Sequence, residues 1–210
     1  MKRFSVLLLA ILLLLPLTAA AETYEIKPGL KLMLPELAAP WTVSREPAPA
    51  LLEHMAEHMQ EDAASQGKTI SAEQAKTAAL KRLQTNELFV YNTESEAHLL
   101  ISFDALGKDE KKPSAKAVAK SAKYAAEGVS DEGWTDVTER HAATAVKGAQ
   151  LAQWFEIGYS HEGHRSVFMG IVGFANPYWF WLYANDHLRN AEDRAVLEKL
   201  LREIEIRVEP

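Results

Sequence analysis

The chain has no cysteine among its 210 residues. This absence excludes disulfide bonds, thiolate metal sites and cysteine nucleophiles. A chain of this length can bury enough apolar surface to be stable without covalent cross-links. The sequence also lacks the glycine-rich loop that cradles phosphates and the nucleophile elbow of many serine hydrolases. It therefore carries no signature of nucleotide binding or of serine catalysis.

Positive charge is scarce as well, with 23 lysine and arginine residues against 29 aspartate and glutamate residues. An acidic chain repels the phosphate backbone, and we therefore expect no nucleic-acid partner. Hydrophobic residues make up 48% of the chain, which is enough to build a folded core.

The N-terminal segment has the three regions of a secretory signal peptide. Lys2 and Arg3 precede an apolar run at positions 6–15, and small residues follow at positions 19–21. The run is short for a membrane-spanning helix, and the small residues favour cleavage before Glu22. The pattern predicts a signal peptide at 1–21 and no membrane span after cleavage. Export without disulfides fits a bacterial periplasm, and we expect a periplasmic or secreted protein.

Three dense apolar runs dominate the C-terminal half, at 151–160, 165–175 and 178–184. Turn-forming residues separate them, which indicates a β-meander. Both faces of these strands are apolar: Phe155 and Ile157 point to one face, and Trp154 points to the other. An antiparallel sheet with one face in water would show polar alternation. The pattern therefore predicts an α+β fold with a central antiparallel sheet and helices packed on both faces.

The rest of the chain supplies the remaining elements. The periodicity predicts a strand at 30–34, helices at 50–65 and 72–84, a hairpin at 87–103, a helix starting at Ser114, and a closing helix with an apolar stripe from Val196 to Ile204. Ser71 and Gln74 form a capping box at the start of the second helix. No linker or repeat divides the chain, so we expect residues 22–210 to form a single α+β domain.

The order of these elements resembles that of the PsbP-like family, which comprises extrinsic photosystem subunits and small exported bacterial relatives. The resemblance lies in the Leu-rich strand at 30–34 leading to Trp41, the mid-chain helix, residues 149–151 entering the meander, and Leu200 and Leu201 in the final helix. It implies a central antiparallel sheet between helical layers. It also implies an accessory or binding role, and it supplies no catalytic residue.

The sharpest chemical motif is His54-x-x-Glu57-His58, which matches the form of the inverted zinc peptidases. On a helix the two histidines lie one turn apart and could bind one Zn²⁺, with Glu57 as the general base. Glu127, Glu132 or Glu139 would be the third ligand. The competing interpretation is a pair of partly exposed histidines with no metal, because a five-residue match has a high false-positive rate.

Two further groups are candidates for a partner or ligand surface. Trp179, Trp181 and Tyr183 share one strand face, where they either pack in the core or form an apolar binding surface. Lys116, Lys120 and Lys123 share one helix face, as a dock for an acidic partner or anionic lipid headgroups, or as a solvated surface.

The sequence favours an exported, non-enzymatic accessory or binding protein acting in the periplasm or at the envelope, without a cofactor. Its partner would be an envelope protein or a small apolar ligand. The alternative is a small zinc-dependent hydrolase that uses Glu57 with His54 and His58 as metal ligands.

Overall fold

A computed structural model describes residues 21–130, 135–161, 164–186 and 191–209. The predicted signal peptide, except for Ala21, lies outside the described residues. None of the helices within these ranges is both long and apolar enough to cross a membrane.

The described residues form ten strands and four helices. The helices are α1 (Pro49–Ser65), α2 (Ala72–Leu83), α3 (Ala115–Ser130) and α4 (Ala191–Glu203). The strands are β1 (Glu22–Lys27), β2 (Leu30–Leu34), β3 (Trp41–Ser44), β4 (Leu88–Asn92), β5 (His98–Ala105), β6 (Thr135–Ala143), β7 (Leu151–His161), β8 (His164–Ala175), β9 (Tyr178–Asp186) and β10 (Glu205–Val208).

Strands β3 to β9 form a seven-stranded antiparallel sheet in the order β3-β4-β5-β9-β8-β7-β6. The predicted meander is β7-β8-β9, and its strands pair along most of their length. A second, three-stranded sheet has the order β1-β2-β10 and brings the two ends of the described chain together. The predicted α+β fold with a central antiparallel sheet is therefore confirmed.

One face of the large sheet holds the main hydrophobic core. Ile101, Phe180 and Leu182 lie on this face and are fully buried. They pack against the apolar side of α4 and against the small sheet, whose buried residues include Leu32 and Ile206. Each large side chain buried in this way stabilises the fold by roughly 1.5 to 3 kcal/mol.

The opposite face is covered by helices at both ends. Ala122 of α3 packs against Phe155 and Ile157 on β7. At the other end, Leu51 of α1 and Leu83 of α2 pack against Phe89 on β4. Because helices cover both faces, the predicted two-sided packing is confirmed.

The hairpin of α1 and α2 begins and ends where the sequence predicts, to within one residue. The Ser71 side chain accepts a hydrogen bond from the Gln74 backbone N–H at 3.1 Å, and the Gln74 side chain accepts one from the Ser71 N–H at 2.9 Å. These two bonds satisfy backbone donors that the first turn of a helix leaves open. The capping box therefore sets the start of α2.

Candidate functional site

A cavity of about 350 Å³ lies between the first turns of α1 and the β4–β5 hairpin. We call it the histidine cavity, because two histidines from different elements line it. Its walls are mostly apolar, and its principal side chains are Ala48, Leu51, His54, Tyr91, Ala97 and His98. Leu51 joins the cavity to the core, because it lines the cavity and also packs with Phe89 of β4 and Leu83 of α2.

His98 is a buried polar group in the lining of this cavity. The residue is 7% exposed, and its Nδ1–H donates a hydrogen bond to the backbone carbonyl of Glu96 at 2.8 Å. Burial lowers the pKa of His98 to about 4, which outweighs the hydrogen bond to Glu96 that acts in the opposite direction. The ring is therefore neutral at pH 7. A neutral imidazole that donates through Nδ1 has Nε2 as a hydrogen-bond acceptor.

His54 enters the same cavity from α1. Partial burial lowers its pKa, and the neighbouring His58 lowers it further by charge repulsion. The two Nε2 atoms are 3.1 Å apart and the rings meet edge to face at 4.5 Å between centroids. This contact follows from the helical spacing, since residues i and i+4 lie one turn apart on the same face. Both effects favour the neutral form of the His54 ring.

The remaining members of the predicted zinc site are spread over the fold. Glu57 is exposed on α1. Glu127 lies on α3, where it pairs with Lys123 at 3.5 Å, and Glu139 lies on β6 beside His141. Glu132, the third alternative, falls outside the described residues. Within the described ranges no group of three or more acidic or histidine side chains is placed to hold a metal ion. The zinc site remains a prediction that rests on the two histidines.

The predicted aromatic surface on β9 is half-buried. Trp179 and Trp181 are stacked, with ring centroids 6.1 Å apart and planes 16° apart. Tyr183 meets Phe155 edge to face at 5.8 Å, and burial raises the pKa of its phenol well above the usual range. All three side chains pack against the cluster beneath α3. They extend this cluster across the central strand of the sheet, and their role as a binding surface stays a prediction.

The predicted basic surface lies on the solvent side of α3, opposite the buried Val118 and Ala122. Lys116, Lys120 and Lys123 are exposed. The Lys120 ammonium sits over the Tyr124 ring of its own helix, 5.1 Å from the centroid. Contacts of this kind occur on ordinary solvated helices, and a docking role for these lysines remains a prediction.

His98 and Tyr91 are site residues that the sequence analysis did not single out. The available signal was a histidine at the start of the strongly apolar segment 98–103. A polar residue in a buried strand needs a hydrogen-bond partner, which marks it for attention. Its meeting with His54 depends on how α1 packs against the hairpin, and periodicity carries no information about that packing.

Comparison with known proteins places the fold among solved structures. No family model and no curated protein sequence matches the chain. The solution structure of cyanobacterial PsbP (CyanoP) from Synechocystis sp. PCC 6803 is similar, with 8% identity, a TM-score of 0.44, and coverage of 90% of this chain and 93% of that chain. The crystal structure of LpqN, involved in cell envelope biogenesis of Mycobacterium tuberculosis, is similar with 11% identity, a TM-score of 0.48, and coverage of 90% and 91%.

The family that the sequence resembles is thus represented among the similar folds. Similarity at this level describes the arrangement of strands and helices. It does not identify the ligand or the partner of this chain.

Proposed function

We propose that the protein is an exported, non-enzymatic accessory protein that binds a small apolar ligand in the histidine cavity. The observation that carries this proposal is the cavity itself: about 350 Å³, mostly apolar, and lined by two histidines. Small-molecule sites in proteins commonly have volumes of roughly 300 to 1,000 Å³, with apolar walls and a few polar groups that orient the ligand.

The protonation of the histidines defines the ligand further. The pKa values of His54 and His98 are both lowered, so both imidazoles favour the neutral form. An anionic ligand would lose its hydration without gaining an opposite charge, which is costly. A neutral ligand with one hydroxyl or carbonyl group would instead bury its apolar body and exchange one hydrogen bond with an imidazole or with the Tyr91 hydroxyl.

Binding by a neutral aromatic alcohol tests this proposal. Isothermal titration calorimetry would compare 2-naphthol with 2-naphthoate, which has the same ring system and a negative charge. We expect the alcohol to bind at one site and the carboxylate to bind at least about tenfold more weakly, a difference of about 1.4 kcal/mol. Equal binding of both probes, or binding of neither, would contradict the proposal.

A pair of substitutions on α1 locates the site. Ala50 lines the cavity, so Ala50→Trp is expected to fill part of it and weaken 2-naphthol binding at least about tenfold. Ala64 is exposed near the other end of the same helix and does not line the cavity, so Ala64→Trp is the matched control. The same affinity in both variants would place the ligand elsewhere.

Export is the second part of the proposal and is supported by the signal-peptide pattern at 1–21. Expression of the full chain in a bacterial host, followed by cell fractionation and N-terminal sequencing, tests it. We expect a periplasmic product that begins at Glu22. A cytoplasmic product that keeps Lys2 and Arg3 would refute export and leave the ligand-binding proposal standing.

A metal-binding function is the second candidate, and the His54–His58 contact favours it. Two imidazole nitrogens on one tetrahedral Zn²⁺ are about 3.3 Å apart, given Zn–N bonds of about 2.0–2.1 Å. The observed 3.1 Å separation is close to this value. Metal analysis of the purified protein tests metal binding. A peptidase assay that compares Glu57→Gln with the wild type tests whether the protein is a zinc-dependent hydrolase. A metal-free, inactive wild type would eliminate it.

A further inference from the structure

A second cleft, of about 530 Å³, lies beside the β4–β5 turn. It is bounded by residues 36–41, by the turn after β4 and by the first three turns of α4. Four carboxylate side chains line it, from Glu36, Glu94, Glu192 and Asp193, against one cationic side chain, Lys199. We call it the acidic cleft.

Asp193 is the deepest of these carboxylates. The residue is 3% exposed, and its Oδ1 accepts a hydrogen bond from the Asn92 amide at 2.7 Å. Its Oδ2 is buried and has no hydrogen-bond partner among the described residues. A buried carboxylate oxygen without a partner is costly, and most such oxygens in proteins are satisfied by a donor or a cation. Asp193 thus contributes to the lining of the cleft a buried carboxylate with one unsatisfied oxygen.

Asn92 holds this carboxylate in place. The Asn92 Oδ1 accepts a hydrogen bond from the Glu94 backbone N–H at 2.8 Å, which fixes the orientation of the amide and directs its Nδ2 donor to Asp193. The contact joins residues 101 positions apart in the sequence. The carboxylate is thus pre-positioned, which lowers the entropic cost of binding a ligand.

The helix dipole explains only part of this arrangement. Asp193 lies in the first turn of α4, where a negative charge is favourable. That role does not require the unpartnered Oδ2. It also does not account for Glu36 and Glu94, which reach the cleft from other segments of the chain.

The spacing of the carboxylates and a neighbouring aromatic ring favour an organic cation over a metal ion. The carboxylates are too dispersed for a metal, since no group of three potential ligands comes together in the described part of the chain. The half-buried ring of Trp41, which is paired with Asn92 across the β3–β4 ladder, forms another wall. An aromatic face attracts ammonium and guanidinium groups. We propose that the acidic cleft binds a small organic cation, with an ammonium or guanidinium group on a short aliphatic chain.

The proposal is independent of the histidine cavity, although Asn92 and Ser95 line both spaces. The two sites differ in the charge of the ligand they accept. Failure of 2-naphthol to bind would leave the cation site untouched, and failure of a diamine to bind would leave the apolar site untouched.

Titration with pentane-1,5-diamine and its neutral isostere pentane-1,5-diol tests the proposal. We expect the diamine to bind with one-to-one stoichiometry and a Kd below about 1 mM, which lies within the range of a ligand with seven non-hydrogen atoms. We expect no binding of the diol. Equal heats from the two probes, or no binding of the diamine, would overturn the proposal.

Substitutions assign the binding to the cleft. Asp193→Asn keeps the size of the side chain and removes its charge, and we expect at least about a 30-fold loss of diamine affinity. Lys199→Gln removes a competing cation, and we expect a gain of roughly two- to fivefold. Glu53→Gln, on the exposed side of α1, is the control and should leave the affinity unchanged.

Circular dichroism would verify that each variant is folded. If Asp193→Asn does not fold, the exposed pair Glu36→Gln and Glu94→Gln takes its place, with an expected loss of several-fold. Unchanged diamine affinity in the folded cleft variants would overturn the proposal.

Discussion

Acidification should destabilise this protein through His98. The pKa of the buried imidazole is about 4 in the folded state, whereas a histidine in an unfolded chain has a pKa near 6.5. Between these values the unfolded state binds more protons than the folded state. The contribution of His98 to the free energy of unfolding is therefore fully present above pH 6.5 and falls as the pH drops towards 4. A difference of about 2.5 pKa units, at 1.36 kcal/mol for each unit, corresponds to a loss of about 3 kcal/mol by pH 4.

Urea unfolding of the wild type and of His98→Gln at pH 7 and pH 4 measures this loss. Carboxylates also titrate in this range, but they contribute equally to both proteins and cancel in the comparison. We expect the free energy of unfolding to fall by about 3 kcal/mol more in the wild type than in His98→Gln between pH 7 and pH 4.

NMR titration of the His98 ring gives a direct reading of the same quantity. A pKa near 6.5 for this ring, or equal pH dependence of stability in the wild type and His98→Gln, would refute the view that the cavity holds a buried, neutral imidazole.

Three further substitutions test the fold by thermal or urea unfolding. Gly148 has a φ of +87°, and a Cβ there would lie 1.7 Å from the Ile206 carbonyl oxygen. Gly148→Ala should therefore lower the free energy of unfolding by at least about 2 kcal/mol. Wild-type stability of this variant would contradict the packing of β10 against Gly148. Ser71→Ala removes the side-chain cap of α2 and should lower the free energy of unfolding by about 1 kcal/mol. No change would mean that the Gln74 side chain alone is enough to cap the helix. Leu182→Ala should lower the free energy of unfolding by about 2 to 5 kcal/mol. A smaller loss would contradict the placement of β9 in the core.

The large sheet could be predicted from sequence because its signal is local. In β7 and β8 the apolar side chains occupy both faces, as Phe155 and Trp154 illustrate, and only a sheet covered on both sides buries them all. The turn residues between the runs then set the strand order within the meander. The capping box of α2 and the apolar stripe of α4 could be predicted for the same reason, because each depends on residues only a few positions apart.

The small sheet was only partly predictable. The alternation at 30–34 predicts β2, but no comparable signal marks β1, in which only Tyr24 and Ile26 are large apolar residues among polar neighbours. This strand forms because β2 offers it a free edge, and its outer side chains remain exposed. Edge strands of this kind are decided by tertiary pairing more than by their own composition.

The two proposed sites depend on contacts between distant segments. The helical spacing of His54 and His58 predicts their contact correctly, but it carries no information about His98, which meets His54 only after α1 packs on the β4–β5 hairpin. The acidic cleft likewise joins Glu36, Asn92 and Asp193 from three separate parts of the chain. No pattern of period 2 or 3.6 connects residues at such separations.

Binding of a neutral ligand between α1 and the β4–β5 hairpin is the central claim, and NMR mapping of 2-naphthol binding tests it most directly. We predict that the amide shifts on titration are concentrated at residues 48–54 and 91–98 and that they saturate with a single affinity. Shifts centred on Trp179 and Trp181, or no saturable shifts at all, would contradict the claim.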